Sequence, residues 1–238
     1  ERAKGELIEA LPASGTAILN ADDERVARMA SRTSARVLTY GAARGADVTI
    51  SSSSIDDLGY VTMMVATPWG SVELRVPVPG AHMASNALAA LAIAGACGVS
   101  MTDAARGISG ATMSPMRMES HVTTGGARII ADCYNANPAS VAAALRTIAG
   151  MRASRRVAVL GLMAELADAE REHAMIASLA ADLGIEIVSV ETALYGSRAV
   201  TLEEATSFVK GLADGDVVLV KGSRVARLER VVSALSLA

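Results

Sequence analysis

Three short segments of this sequence put carboxylate, amide, hydroxyl and cationic side chains directly after runs of apolar residues. They are Asp132-Cys133-Tyr134-Asn135-Ala136-Asn137-Pro138, Gly161-Leu162-Met163-Ala164-Glu165-Leu166 and Lys221-Gly222-Ser223-Arg224. The first offers Asp132, Asn135 and Asn137 ahead of a proline suited to the first turn of a helix, so polar side chains and free helix N–H groups face one crevice. The two asparagines could equally do no more than turn a strand into a helix. The third segment sets Lys221, Ser223 and Arg224 around a glycine at a helix start. That is a receptor for carboxylate or phosphate, or else a solvated helix entry. Only three of the 22 basic residues are lysines: Lys4, Lys210 and Lys221. A lysine kept in so arginine-rich a chain points to work a guanidinium cannot do, as a point charge or a modifiable amine. Lys210, on the outside of a predicted helix, is the exception.

The elements that must position these residues follow from periodicity. Beyond a break at Gly110–Met118 the pattern predicts strand Ala127–Asp132, helix Ala139–Ala149, strand Val157–Leu160, helix Ala169–Leu183, strand Glu186–Val190, helix Leu202–Leu212, strand Val217–Val220 and helix Val225–Leu235. Strand–helix alternation implies a parallel, Rossmann-like sheet, whose ligands gather at the carboxyl ends of the strands. All three polar segments stand at such ends. Before the break the reading is mixed. Helix Ala3–Leu11, strand Thr16–Leu19, a helix capped by Asp22 or Asp23 and strand Val37–Tyr40 precede three strands, Asp47–Ser52, Tyr60–Ala66 and Ser71–Val78. Thr67-Pro68-Trp69-Gly70 is the turn of a hairpin in the resulting small antiparallel sheet. Helices His82–Gly98 and Thr102–Ile108 follow. The fold class expected is α/β in two domains, residues 1–112 and 113–238.

Composition removes several functions. With 238 residues, a net charge of −3 and 3% aromatics, the chain has neither the basic footprint nor the stacking rings of a nucleic-acid binder. The longest apolar stretch, Ala87–Val99, is shorter than the roughly 20 residues that span a bilayer. Cys97 and Cys133 lie in apolar surroundings without disulfide or metal-ligand spacing, which fits a cytoplasmic protein. His82 and His173 read as readily as helix residues as functional ones. Because the chain opens Glu1-Arg2-Ala3-Lys4 inside what reads as the tail of an amphipathic helix, the natural protein is expected to extend upstream.

Five strings in order carry a specific resemblance: Gly80-Ala81-His82-Met83-Ala84-Ser85-Asn86-Ala87-Leu88-Ala89-Ala90, Ser114-Pro115-Met116-Arg117-Met118-Glu119, Asp132 to Pro138, Met163-Ala164-Glu165-Leu166, and Lys221-Gly222-Ser223-Arg224. Together they resemble the Mur ligases, and within them the type that adds D-alanyl-D-alanine to UDP-N-acetylmuramoyl-tripeptide. The resemblance implies the end of a P-loop-type central ATPase domain followed by a complete C-terminal ligase domain. The activity it implies is an ATP-dependent, magnesium-supported amide ligation through an acyl phosphate, in peptidoglycan precursor synthesis, by a cytoplasmic monomer without membrane or nucleic-acid partners. It also implies roles. Lys4 would be the lysine carbamylated to support magnesium, with no protein metal ligand expected otherwise. Asn86, Arg117 and Asp132 would hold ATP at its adenine, phosphates and ribose, and Asn135, Asn137, Lys221, Ser223 and Arg224 would bind substrate. The family's phosphate loop, Gly-x-x-Gly-Lys-[Ser/Thr], is not in this sequence, so the chain alone is expected to be inactive. Met83 replaces an asparagine common in the family, and Leu162 stands where some members have a polar residue. Other readings are a sister Mur ligase, a folylpolyglutamate synthetase-like ligase, or a non-catalytic α/β nucleotide- or peptide-binding module.

Overall fold

A computed structural model describes residues 2–235. The chain divides into two compact units. One gathers the residues up to Ile55 with Tyr60–Pro77 and His82–Thr112; the other gathers Asp56–Gly59, Val78–Ala81 and the chain from Met113 onward.

The first unit begins with α1 (Arg2–Glu9) and a parallel pair, β1 (Thr16–Asn20) and β2 (Arg36–Tyr40). Between these strands lies α2 (Glu24–Ala27), a single turn that passes into a 3-10 turn, Arg28–Arg32. Asp23 caps α2 by accepting from the N–H groups of Arg25 and Val26, so of the two aspartates weighed for that role it is Asp23 that serves. A three-stranded antiparallel sheet follows, β3 (Thr49–Ile55), β4 (Tyr60–Thr67) and β5 (Gly70–Pro79) in that order. Val61, Met63 and Val65 of β4 are buried at the period of two that puts one face of a strand on a core. Helices α3 (Met83–Ala96) and α4 (Met101–Ser109) complete the unit, α3 packing on β1, β2 and α4. α1 ends at Glu9, two residues short of the predicted Leu11.

The second unit alternates: β6 (Glu119–Val122), β7 (Arg128–Ala131), α5 (Pro138–Gly150), β8 (Arg155–Leu160), α6 (Ala169–Asp182), β9 (Glu186–Ser189), α7 (Leu202–Lys210), β10 (Asp216–Lys221) and α8 (Glu229–Ser233). The sheet order is β6-β7-β10-β8-β9; the last four run parallel and β6 pairs antiparallel with β7. The central strand β10 has four successive apolar residues, Val217 to Val220, all buried, as a parallel strand covered on both faces requires. α5 packs against α6, and α7 against α8. One core joins Ala205 and Val209 of α7 and Val231 and Val232 of α8 to Ile129, Val159, Val188 and Val218 of the sheet. The α/β class, with a small antiparallel sheet and a mostly parallel one, is as the sequence predicts.

Apart from shifted element ends, two features of the second unit differ from the sequence reading. β6 was not foreseen, because Glu119, Ser120 and His121 make it an edge strand with no apolar alternation. The predicted helix Val225–Leu235 is broken: a 3-10 turn covers Arg224–Ala226, Arg227 adopts the left-handed conformation at φ 51°, and only Glu229–Ser233 is α-helical.

Candidate functional site

β7, β8 and β10 lie side by side in the sheet, and their carboxyl ends lead into the three polar segments. After β7 and β8 the chain enters α5 and α6, which pack together; after β10 it enters α8, which packs with α7. Neighbouring connections thus diverge to opposite faces, the arrangement that opens a crevice at the strand ends of a doubly wound sheet. A cleft of about 400 Å³ lies there, lined by Tyr134 and Asn135 from the first segment, Glu165 from the second, and Ser223 and Arg224 from the third.

Beside it, Lys221 is 2% exposed. Its Nζ donates to Asp132 Oδ2 at 2.5 Å, to the carbonyl of Asn135 at 3.0 Å and to the carbonyl of Asp132 at 3.4 Å. An ammonium has three hydrogens, and here each has an acceptor. Ser223, 3% exposed, donates its hydroxyl to the carbonyl of Leu162 at 2.6 Å. The residues expected to receive a ligand thus differ in what the structure shows of them: Ser223 and Arg224 line the cleft, and Lys221 lies beside it. Burial turns Lys221 and Ser223 inward to hold the cleft's walls, and of the three only Arg224 is an exposed charge on the cleft.

Asn137 is a helix cap. Its Oδ1 accepts from the N–H of Ser140 at 2.9 Å, and the Ser140 hydroxyl accepts from the N–H of Asn137 at 3.1 Å. This capping box starts α5, with Pro138 in its first turn, so the turn-making alternative describes this asparagine. Asn135 accepts from the neighbouring Ala136 N–H at 2.8 Å and lines the cleft.

Asp132 joins two parts of the site. While Oδ2 holds Lys221, Oδ1 accepts from the N–H of Met118 at 3.3 Å. Met116 and Met118 both have left-handed backbone, φ 63° and 54°, and between them Arg117 projects on a tight knuckle. Its guanidinium lies 4.0 Å from the centroid of the Tyr134 ring, a cation–π contact. Arg117, Tyr134 and Asp132 are thus brought together. Lys4, exposed on α1, and Asn86, exposed on α3 with its Nδ2 3.6 Å from Met83 Sδ, belong to the first unit.

The loop after β8 is fixed from beneath. His173, fully buried, accepts at Nε2 from the N–H of Met163 at 3.0 Å, and its Nδ1 lies 2.6 Å from the carbonyl of Ala169. The tautomer with hydrogen on Nδ1 satisfies both. Tyr195 packs edge-on to that ring, centroids 4.8 Å apart, and donates to the carbonyl of Gly161 at 2.9 Å; burial pushes its phenol above the usual range. Sequence reasoning left His173 between two readings and passed over Tyr195, which follows β9 with no polar neighbour to mark it.

Cys133, between Asp132 and Tyr134, is fully buried with its thiol 3.4 Å from Met116 Sδ. Burial first, then the nearby Glu229 charge, pushes the thiol up to about 12. Since the thiolate is the reactive form, native protein titrated with a thiol-reactive disulfide at pH 8 is expected to label at the exposed Cys97 and to take up a second equivalent only on unfolding. Rapid uptake of two equivalents by folded protein would contradict this burial.

A parallel sheet with helices on both faces and a polar cleft at its strand ends defines the class of nucleotide- and substrate-binding α/β domains. Family models for the Mur ligase middle domain and for the Mur ligase glutamate ligase domain match residues 1–94 and 116–224. The chain belongs to the Mur ligase family. Within that family it is similar to the UDP-N-acetylmuramoyl-tripeptide–D-alanyl-D-alanine ligases. It is 36% identical to the Mycobacterium tuberculosis protein over 98% of this chain and 53% of the relative, and 31% identical to the Escherichia coli protein over 98% and 55%. The solved D-alanyl-D-alanyl ligase from Acinetobacter baumannii superposes with a TM-score of 0.84 at 30% identity, covering 98% of this chain and 53% of that one. The chain spans about half the length of the curated relatives it matches.

Proposed function

We propose that this chain is the C-terminal half of an enzyme that joins D-alanyl-D-alanine to UDP-N-acetylmuramoyl-tripeptide in the cytoplasm, as a monomer, supplying precursor for peptidoglycan and so for cell shape and division. ATP is a substrate. The terminal carboxylate of the tripeptide attacks the γ-phosphate and releases ADP. The dipeptide amine then attacks the acyl phosphate, forming the amide as phosphate departs and the amine proton is lost.

In this reading the Arg117 guanidinium meets phosphate charge, where electrostatic stabilisation is most needed. The Asp132 oxygens, each with a lone pair beyond its present bond, accept from ribose hydroxyls. Asn135 and Arg224 face the incoming dipeptide, Arg224 as the charge-assisted donor to its carboxylate. Lys221, Ser223 and the Asn137 cap hold that surface in place. In the first unit, Asn86 serves the adenine and Lys4 is the primary amine available for carbamylation. Among the described residues no three His, Cys, Asp or Glu side chains are grouped to hold a metal; the magnesium of this reading would be held largely by ATP phosphates and water, with a Lys4 carbamate in support, and no step here is routed through it.

The observation that carries the proposal is identity of 36% over 98% of the chain, in a fold whose strand-end cleft presents Asn135 and Arg224. Its test is phosphate release from ATP, magnesium, UDP-N-acetylmuramoyl-tripeptide and D-alanyl-D-alanine. The 238-residue chain, which contains no Gly-x-x-Gly-Lys-[Ser/Thr] sequence to cradle a triphosphate, is expected to give none above a protein-free control. The same chain joined to the upstream half its relatives possess is expected to release phosphate only with the dipeptide. Release with a single amino acid instead would move the protein to a sister ligase, and release by the chain alone would contradict the dependence on a phosphate loop.

A further inference from the structure

We infer that the strand-end cleft is a two-ended receptor for a zwitterion, in which Glu165 takes the ammonium group and Arg224 the carboxylate, making Glu165 a specificity-determining residue. The inference rests on the acceptor reading above and adds to it the recognition of the amine.

Glu165 and Arg224 line the same cleft from the loops after β8 and β10. Both are exposed. They carry opposite charges, yet neither side chain makes a hydrogen bond or ion pair with another described residue, whereas Lys221 at the same sheet edge has all three hydrogens engaged. A free carboxylate and a free guanidinium on one cleft are complementary in charge to the two ends of an amino acid or short peptide. The volume of about 400 Å³ falls among small-molecule sites, about 300–1,000 Å³.

The backbone gives a second reason. Glu165 has φ 62°, in the left-handed region where glycine or asparagine would sit more easily. Glu191 and Arg227 share that conformation but do not line the cleft, so the conformation alone does not single Glu165 out. The loop that carries it is held by bonds at Gly161, Leu162 and Met163. Gly161 donates to the Lys221 carbonyl at 3.0 Å, the Leu162 carbonyl accepts from both the N–H and hydroxyl of Ser223, and Met163 donates to His173. A loop so fixed presents the Glu165 carboxylate at a defined place, which is what discrimination by an ion pair needs.

The test uses the chain joined to its upstream half and two acceptor analogues: propionyl-D-alanine, which lacks the amine, as an inhibitor, and D-alanyl-ethylamine, which lacks the carboxylate, as a substrate. Glu165→Gln is expected to raise KM for D-alanyl-D-alanine about 10- to 100-fold, the worth of a charged hydrogen bond, while the inhibition constant of propionyl-D-alanine stays within about 2-fold. Arg224→Gln is expected to erase the wild-type preference for the dipeptide over D-alanyl-ethylamine. If Glu165→Gln weakens dipeptide and propionyl-D-alanine equally, or neither, the amine role is overturned. If wild type turns over a single amino acid but not the dipeptide, the acceptor reading fails and the receptor is judged by the same variants on that amino acid and its deaminated and amidated forms. If no acceptor turns over, calorimetric titration of the chain with D-alanyl-D-alanine decides: binding weakened by Glu165→Gln supports the receptor, and no binding overturns it.

Discussion

Lys221→Met is expected to lower the unfolding free energy by about 3–5 kcal/mol, because it removes one partner of a buried ion pair and leaves the other charge without its counterpart. Lys221 is 2% exposed and Asp132 only 14%, so little water reaches the carboxylate to compensate. The two backbone carbonyls that accept from Nζ lose their donor as well. Asp132→Asn alone strands the ammonium and should cost a similar amount. In the double variant Lys221→Met with Asp132→Asn, neither charge remains, and much of the loss should return, since replacing both members of a buried pair is far milder than breaking it. Urea unfolding of the four proteins measures the coupling. Additive losses would show that Lys221 acts through its packing and not through Asp132. Ligation should fall with the single Lys221 change even at temperatures where the protein is folded, because Asp132 Oδ1 also holds Met118, and through it the left-handed knuckle that projects Arg117. An undiminished rate would separate the ion pair from the site.

That ion pair marks where sequence reading stops. Each partner was visible alone: Asp132 at the end of one apolar run, Lys221 as one of three lysines at the end of another. Their pairing joins residues 89 apart in sequence and exists only because β10 lies next to β7 in the sheet, an order that periodicity along the chain does not encode. A polar residue at a strand end can face a ligand or its neighbour, and what decides is burial, a property of the assembled sheet. The elements themselves were more legible. β7, β8, β9 and β10 are apolar runs bounded by turn residues, and α5, α6 and α7 begin at Asn137, Asp168 and Thr201, each accepting a helix N–H. β6 lay hidden because its partner supplies the reason it is a strand. The last helix was overextended because its apolar spacing continues through Arg227, whose left-handed backbone nothing in the local pattern announces.

The same distinction governs His173, for which the bland reading and the functional one can now be joined. His173→Phe keeps a ring of similar size against Tyr195 but removes the acceptor for the N–H of Met163, itself 1% exposed. An orphaned buried donor costs about 1–3 kcal/mol, and the carbonyl of Ala169 loses a donor in addition. His173→Gln can extend an amide oxygen toward the position of Nε2 and should recover at least half of the loss. The consequence for ligation is specific to one substrate. His173 fixes Met163, two residues before Glu165, and its ring bonds only Met163 and Ala169, not the Arg117 knuckle or Asp132. His173→Phe should therefore raise KM for the acceptor dipeptide about 10-fold while KM for ATP stays within about 2-fold, and His173→Gln should restore most of the acceptor affinity. A general loss of stability would move both constants together, so parallel shifts would reduce His173 to a core residue. A split between them would make it the positioning residue of the acceptor loop, reached through a hydrogen bond to the backbone.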